Sequence, residues 1–231
     1  MKTFAAIDVG SYELAMKIFE ISAKSGIREI DHIRHRIDLG TDTYANGKIS
    51  NERVDELCRV LRDYGEIMKG YRVDAYKAYG TSAIREMDNR MILLDQIAQR
   101  TGITIECISN SEQRFLDYKS IASKGDVFNR IIEKGTAIVD IGGGSIQISL
   151  FDKDTLVTTQ NLRLGVLRLQ EQLGKLNIRP EQNESMLDEI ISSQLSVFKK
   201  LYLKDRVIEN IIVVDDYMKK ITAGPRKNPA V

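Results

Sequence analysis

Two stretches of this chain carry the same short signature: an aspartate closing an apolar run, a glycine turn, then a serine. They are Asp8-Val9-Gly10-Ser11 and Asp140-Ile141-Gly142-Gly143-Gly144-Ser145. Each follows a run with the length and composition of a strand, residues 3–9 (TFAAIDV) and 136–141 (TAIVDI), and each is followed by another, residues 13–21 and 145–151. So short a connection favours a β-hairpin bent at the glycines. Repetition of a motif together with its flanking elements constrains the chain to two related α/β units.

The rest of the pattern fits that frame. Residues 27–37 and 155–162 supply a third run after each hairpin, although Ile27, Ile30, Ile33 and Ile37 are spaced ambiguously between strand and helix. After Ser50, a plausible N-cap, Val54, Leu57, Cys58, Leu61, Tyr64 and Met68 follow helical spacing. A strand over 73–79 closed by Gly80 comes next. A helix over 82–100 follows, with Ile84, Met87, Met91, Leu94 and Ile97 on one face, then a strand over 103–108 and a helix over 110–123. In the second half, helices are expected over 166–173 and 181–203, the latter opening at Pro180, and a strand over 210–214.

Composition removes several classes of function. Of 231 residues, 42% are apolar and 29% charged, enough for a packed core. No run approaches the ~20 apolar residues of a membrane helix, and MKTFAAIDVG lacks a signal-peptide pattern. A net charge of +1 argues against a dedicated nucleic-acid binder, and Cys58 and Cys107 form neither a disulfide scaffold nor a zinc cluster. A cytoplasmic globular protein is expected, without nucleic-acid or membrane partners.

The glycine turns are the chemical centre. Without Cβ atoms the backbone bends tightly and turns its N–H groups toward an anion, and Ser11 and Ser145 add hydroxyls. Asp8 and Asp140, at the strand ends, stand where a divalent cation would bridge carboxylate and phosphate oxygens. The plain alternative is a pair of tight hairpins. At Gly80-Thr81-Ser82-Ala83-Ile84-Arg85, Thr81 or Ser82 would cap a helix and Arg85 would fork onto phosphate, or remain a surface arginine. In Ser109-Asn110-Ser111-Glu112-Gln113, a carboxylate could orient or deprotonate water. The spacings Ser109 to Glu112 and Asn110 to Gln113 equally fit a capping box, and spacing alone favours the cap.

DVGS, GTSAIREMDN, ISNSEQ and DIGGGS, in this order, resemble the exopolyphosphatase/guanosine pentaphosphate phosphatase family of the actin-like, sugar-kinase and Hsp70-type superfamily. Asp38-Leu39-Gly40, Gly47-Lys48-Ile49-Ser50 and Leu164-Gly165-Val166 agree more weakly. The resemblance covers nearly the whole chain. It implies two ribonuclease-H-like lobes with mixed sheets and an interlobe cleft, residues 1–124 and 125–231, the second reading as incomplete. It also implies magnesium and removal of the terminal phosphate from polyphosphate or a phosphorylated guanosine nucleotide. Gly10, Ser11, Ser82, Arg85, Gly142, Gly143, Gly144 and Ser145 would bind phosphate, and Asp8 and Asp140 would bind metal.

Three places depart from the family pattern. Tyr12 and Glu13 follow Ser11, Gln113 stands where the proposed catalytic base would be, with Glu112 before it, and Ile146 and Gln147 follow the triple glycine in place of Thr-Glu. Catalysis would therefore run through Glu112, Gln113 and Gln147, with Glu13 a substitute if the first loop is shifted. A non-catalytic phosphate or nucleotide sensor is the alternative, and a homodimer is left open. An ATP-dependent kinase is disfavoured because Asp215, Asp216 and Tyr217, without a glycine, follow the last strand.

Overall fold

The computed structural model describes residues 1–123, 125–176 and 179–214. Contacts divide them into two compact units. One holds Met1–Arg114 and the segment beginning at Val166, and the other holds Phe115–Gly165 and the described residues from Arg179 on.

The first unit is built on β1 (Lys2–Val9), β2 (Glu13–Ser22), β3 (Gly26–Arg36), β4 (Ala75–Gly80) and β5 (Glu106–Cys107), in sheet order β3-β2-β1-β4-β5. The three N-terminal strands form an antiparallel meander, and β4 and β5 run parallel to β1. Ala5, Ile7 and Val9 of β1 and Leu14, Met16 and Ile18 of β2 alternate into the core. There they join Leu57, Cys58, Leu61 and Tyr64 from α2 (Asn51–Gly70), whose apolar residues recur at helical spacing.

The second unit repeats this plan with β6 (Thr136–Ile141), β7 (Ile146–Asp152), β8 (Thr155–Leu162) and β9 (Asn210–Val214), in order β8-β7-β6-β9. Again the first hairpin is antiparallel and the last strand pairs parallel to the first. Each middle strand carries a register shift at the same place, four residues after the hairpin partner Leu14 or Ile146: between Ile18 and Phe19, and between Leu150 and Phe151. The repeat read from the motif thus extends through the mixed α/β topology. α6 (Asp126–Ile132) supplies Phe128 and Ile132 to a core with Ile138 and Phe151, and α8 (Asn183–Tyr202) follows a 3-10 turn at Pro180–Gln182.

Several elements differ from the sequence reading. The expected helix over 82–100 is two, α3 (Ser82–Arg85) and α4 (Arg90–Thr101). Between them the Asp88 N–H donates to the Gly47 carbonyl and Arg90 donates to the Arg85 carbonyl. The break changes the helical phase, so Met91, expected on the buried face, is 75% exposed, while Leu93 and Ile97 face inward. α1 (Leu39–Asn46) was not expected, because it has no apolar stripe and starts at Asp38 in the left-handed region, φ 52°. α6 was not expected either, and β5 is shorter than its apolar run.

The expected boundary at 124/125 also shifts. The units part within α5 (Asn110–Ala122), whose Tyr118 and Ile121 pack in the second core. In the opposite sense, α7 (Val166–Leu176) returns to the first unit, packed on α1. The expected shortfall of the second lobe and the run Asp215 to Tyr217 fall from residue 215 on, outside the described residues. Among the described residues no helix is long and apolar enough to cross a membrane.

Candidate functional site

The two glycine turns have one geometry. Gly10 N–H donates to Glu13 O at 3.0 Å, and Gly142 N–H to Ser145 O at 2.9 Å. Val9 then pairs with Leu14, and Ile141 with Ile146. Ser11 is therefore the counterpart of Gly143, and Ser145 that of Glu13, which corrects the simple matching of serine to serine. The bonds within each turn leave the N–H of the second residue, Ser11 or Gly143, unspent among the described residues. An amide not used inside the turn, beside a glycine, is the kind of donor an anion-binding nest is built from.

Each turn is clasped by the glycine that follows the third strand. In the first unit Gly40 N–H donates to Ser11 O at 2.8 Å, and the Ile37 and Asp38 N–H groups both reach Tyr12 O at 3.1 Å. A Cβ on Gly40 would stand 2.6 Å from the Tyr44 ring and 3.0 Å from the Ser11 Cβ. In the second unit a Cβ on Gly165 would lie 2.2 Å from the Gly144 carbonyl carbon and 2.3 Å from the Ser145 nitrogen. Those contacts give a physical reason for Asp38-Leu39-Gly40 and Leu164-Gly165-Val166: only a residue without a side chain lets the backbone come so close.

The serines look inward. Ser11 is 5% exposed, and its Oγ lies 2.7 Å from Tyr44 Oη. Burial pushes the Tyr44 phenol up from its ordinary pKa, against the lowering effect of the Ser11 hydrogen bond. The Arg168 guanidinium sits 4.1 Å above the Tyr44 ring and donates to Glu86 at 2.6 Å. Tyr44 and Arg168 were missed in the sequence, because α1 has no periodic pattern and Arg168 lies far along the chain.

Arg85 donates to Ile108 O at 2.7 Å and to Ser82 Oγ at 3.2 Å, leaving guanidinium N–H donors over. Burial draws its pKa down, opposed by Cys107, Glu86 and Tyr44. Ser82 thus supports Arg85, and neither Thr81 nor Ser82 makes the expected side-chain cap on α3. Glu13 is tied to Arg34, at 2.8 and 2.5 Å, on the β3 side of the first hairpin. Glu112 closes the capping box: Ser109 N–H donates to its carboxylate at 2.7 Å and Glu112 N–H to Ser109 Oγ at 3.2 Å. That backbone bond holds the Glu112 carboxyl below its ordinary pKa. Gln113, next along α5, is half-buried.

In the second sheet Asp140 stands opposite Gln147, and Gln147 opposite Asn161, so the three form a row across β6, β7 and β8. In the first sheet Ala15 stands opposite Asp8, which is exposed at the end of β1. Gln147 is 3% exposed, and its Nε2 donates to Asp140 Oδ2 at 3.4 Å. Its Oε1, like Asn161 Oδ1, is buried without a hydrogen-bond partner among the described residues. Leaving such an oxygen unsatisfied is costly, so Gln147 Oε1, on the side chain that bonds Asp140, is suited to accept from a donor or to bind a cation. Asn161 was missed because its register becomes apparent only once β7 and β8 pair. Among the described residues no group of three or more His, Cys, Asp or Glu side chains could hold a metal. A magnesium ion needs no such group, since it is usually held by one or two carboxylates plus substrate phosphates. The hard-oxygen set Asp140 and Gln147 Oε1 fits it.

These features define a mixed α/β protein with a repeated, glycine-clasped turn. Residues 17–226 match the Ppx/GppA phosphatase family, and the chain belongs to it. It is 24% identical over 224 residues to the bifunctional 3-dehydroquinate synthase/phosphatase of Fusobacterium nucleatum, covering 93% of this chain and 31% of that protein. It is 27% identical over 180 residues to exopolyphosphatase 2 of Mycobacterium tuberculosis, covering 72% and 53%. The chain therefore spans between about a third and about half of these relatives' lengths. The solved structure of an exopolyphosphatase from Cytophaga hutchinsonii shares the fold, with a TM-score of 0.76 at 19% identity, covering 95% of this chain and 69% of that one.

Two outcomes follow from the site. Gly165→Ala forces its Cβ into the second turn's backbone and will lower stability by about 1–3 kcal/mol, read as a reduced urea midpoint. The Glu112 carboxyl is depressed in the folded state, so its cap holds above the ordinary carboxylate range and is lost as pH falls through the lower folded value. The Ser109 amide resonance should titrate with a midpoint below that of an ordinary glutamate; a midpoint at or above it would contradict the cap.

Proposed function

We propose that this chain binds a phosphate chain, polyphosphate or a phosphorylated guanosine nucleotide, and hydrolyses its terminal phosphoanhydride slowly. The observation that carries the reading is the repeated turn with one unspent amide in each unit, set in a family of phosphatases. Gly10, Ser11 and Gly142 to Ser145 would offer backbone donors to phosphate, and Arg85 its remaining guanidinium N–H groups. Asp8 in the first unit, and Asp140 with Gln147 Oε1 in the second, are the residues that would hold magnesium. The ion, when bound, neutralises charge on the phosphate oxygens.

The chain's own residues then limit the chemistry. Water attacks the terminal phosphorus, and the bridging P–O bond breaks with its electron pair left on the oxygen of the shortened chain. The proton of the attacking water, without a side-chain base, passes to a phosphate oxygen or to solvent. Glu112 is poorly suited to take it, because its carboxylate is committed to the Ser109 amide. Gln113 can accept a hydrogen bond from the water and orient it, but an amide does not take up a proton near neutral pH. Loss of a general base costs roughly 10²–10⁴-fold. The same two facts, Glu112 in a cap and amides at positions 113 and 147, favour a second reading, a phosphate-binding sensor without turnover.

The test is phosphate release from polyphosphate and guanosine pentaphosphate with magnesium. Slow release is expected, abolished by Gln113→Ala, unchanged in rate by Glu112→Gln, and raised at least about tenfold by Gln113→Glu with Gln147→Glu. Saturable binding with no release from the wild type would establish the sensor, and absence of binding would overturn both readings.

A further inference from the structure

We propose that Tyr44 is a positioning residue for the first phosphate turn, acting through the Ser11 hydroxyl to hold the turn's amide in place. This rests on the phosphate-binding role proposed for that turn. Ser11 roots the turn on the inner side: its Oγ meets Tyr44 Oη at 2.7 Å, and its carbonyl takes the Gly40 N–H. At 5% exposure the hydroxyl is turned into the unit, so the turn offers a ligand its backbone and keeps its serine as the anchor.

Tyr44 is itself held in place. Gly40 leaves room for its ring, Arg168 from α7 stacks on its face, and Glu86 fixes Arg168 through a 2.6 Å hydrogen bond. Arg168 also brings a positive charge to the side of the ring, and the buried phenol remains protonated and able to donate. At the position of Ser11 the second turn has Gly143, which carries no hydroxyl, and its clasp is Gly165 against bare backbone. The two turns are thus fixed by different means, side-chain hydrogen bonding in one and close backbone packing in the other.

A double-mutant cycle on the full chain tests this, using tripolyphosphate with magnesium as the probe and calorimetric affinity as the readout, well below each variant's melting temperature. Tyr44→Phe and Ser11→Ala should each weaken binding about five- to tenfold, as expected for one lost hydrogen bond, with the double variant no weaker than either single one. Where turnover is measurable, the loss should appear in KM with kcat held, a split that general destabilisation would not produce. Wild-type affinity in Tyr44→Phe, or effects that multiply in the double variant, would overturn the inference while leaving the turn's phosphate role intact. Should Tyr44→Phe fail to fold, wild-type affinity in Ser11→Ala overturns it instead. A wild-type chain that does not bind tripolyphosphate overturns both the proposed function and the inference.

Discussion

The bond from the Gly10 amide to the Glu13 carbonyl, and its twin from Gly142 to Ser145, turns each first strand back on itself over four residues. A turn that tight fixes which residues face each other across the hairpin, because strand register permits no half-steps. Asp8 thereby meets Ala15, and Asp140 meets Gln147. It also fixes which amide is left outside the internal bonds. The placement of an exposed carboxylate, an unspent N–H and a buried amide all depends on this one constraint.

Backbone turns of this kind need support, and the two units supply it differently. Gly40 hydrogen-bonds and packs beneath the first turn, with Tyr44 and Arg168 behind it. Gly165 presses directly on the peptide planes of the second, where a triple glycine leaves no side chains to intervene. Preorganised donors of this sort lose little entropy when an anion arrives, so the proposed phosphate binding would not require a net positive charge. The second unit adds something the first lacks, a cross-strand row of oxygens in which Gln147 Oε1 and Asn161 Oδ1 have no hydrogen-bond partner among the described residues.

Much of this could be read in the sequence because the repeat is local. Asp8 to Ser11 and Asp140 to Ser145 lie within single hairpins, and short strand-like runs placed β1, β6, β8 and β9 to within a residue. The spacing of Ser109 and Glu112 gave the capping box for the same reason. What was hidden depends on non-local contacts or on broken periodicity. α1 has no apolar stripe, the interruption between α3 and α4 comes from a bond to Gly47, and α7 joins the first unit through packing on α1. The equivalence of Ser11 with Gly143 became apparent only from the hydrogen bonds of the two turns, since residue identity pointed to Ser145. Tyr44 and Asn161 belong to the site through partners distant in sequence, at 33 residues for Ser11 and through strand register for Gln147.

The central claim is that both turns present backbone amides to phosphate. An amide proton spectrum of the isotopically labelled chain, recorded while tripolyphosphate and magnesium are added, reads those groups directly. The Ser11 and Gly143 resonances should each move saturably and shift downfield as their N–H groups gain an anionic acceptor. Saturable binding that leaves both resonances in place would contradict the claim.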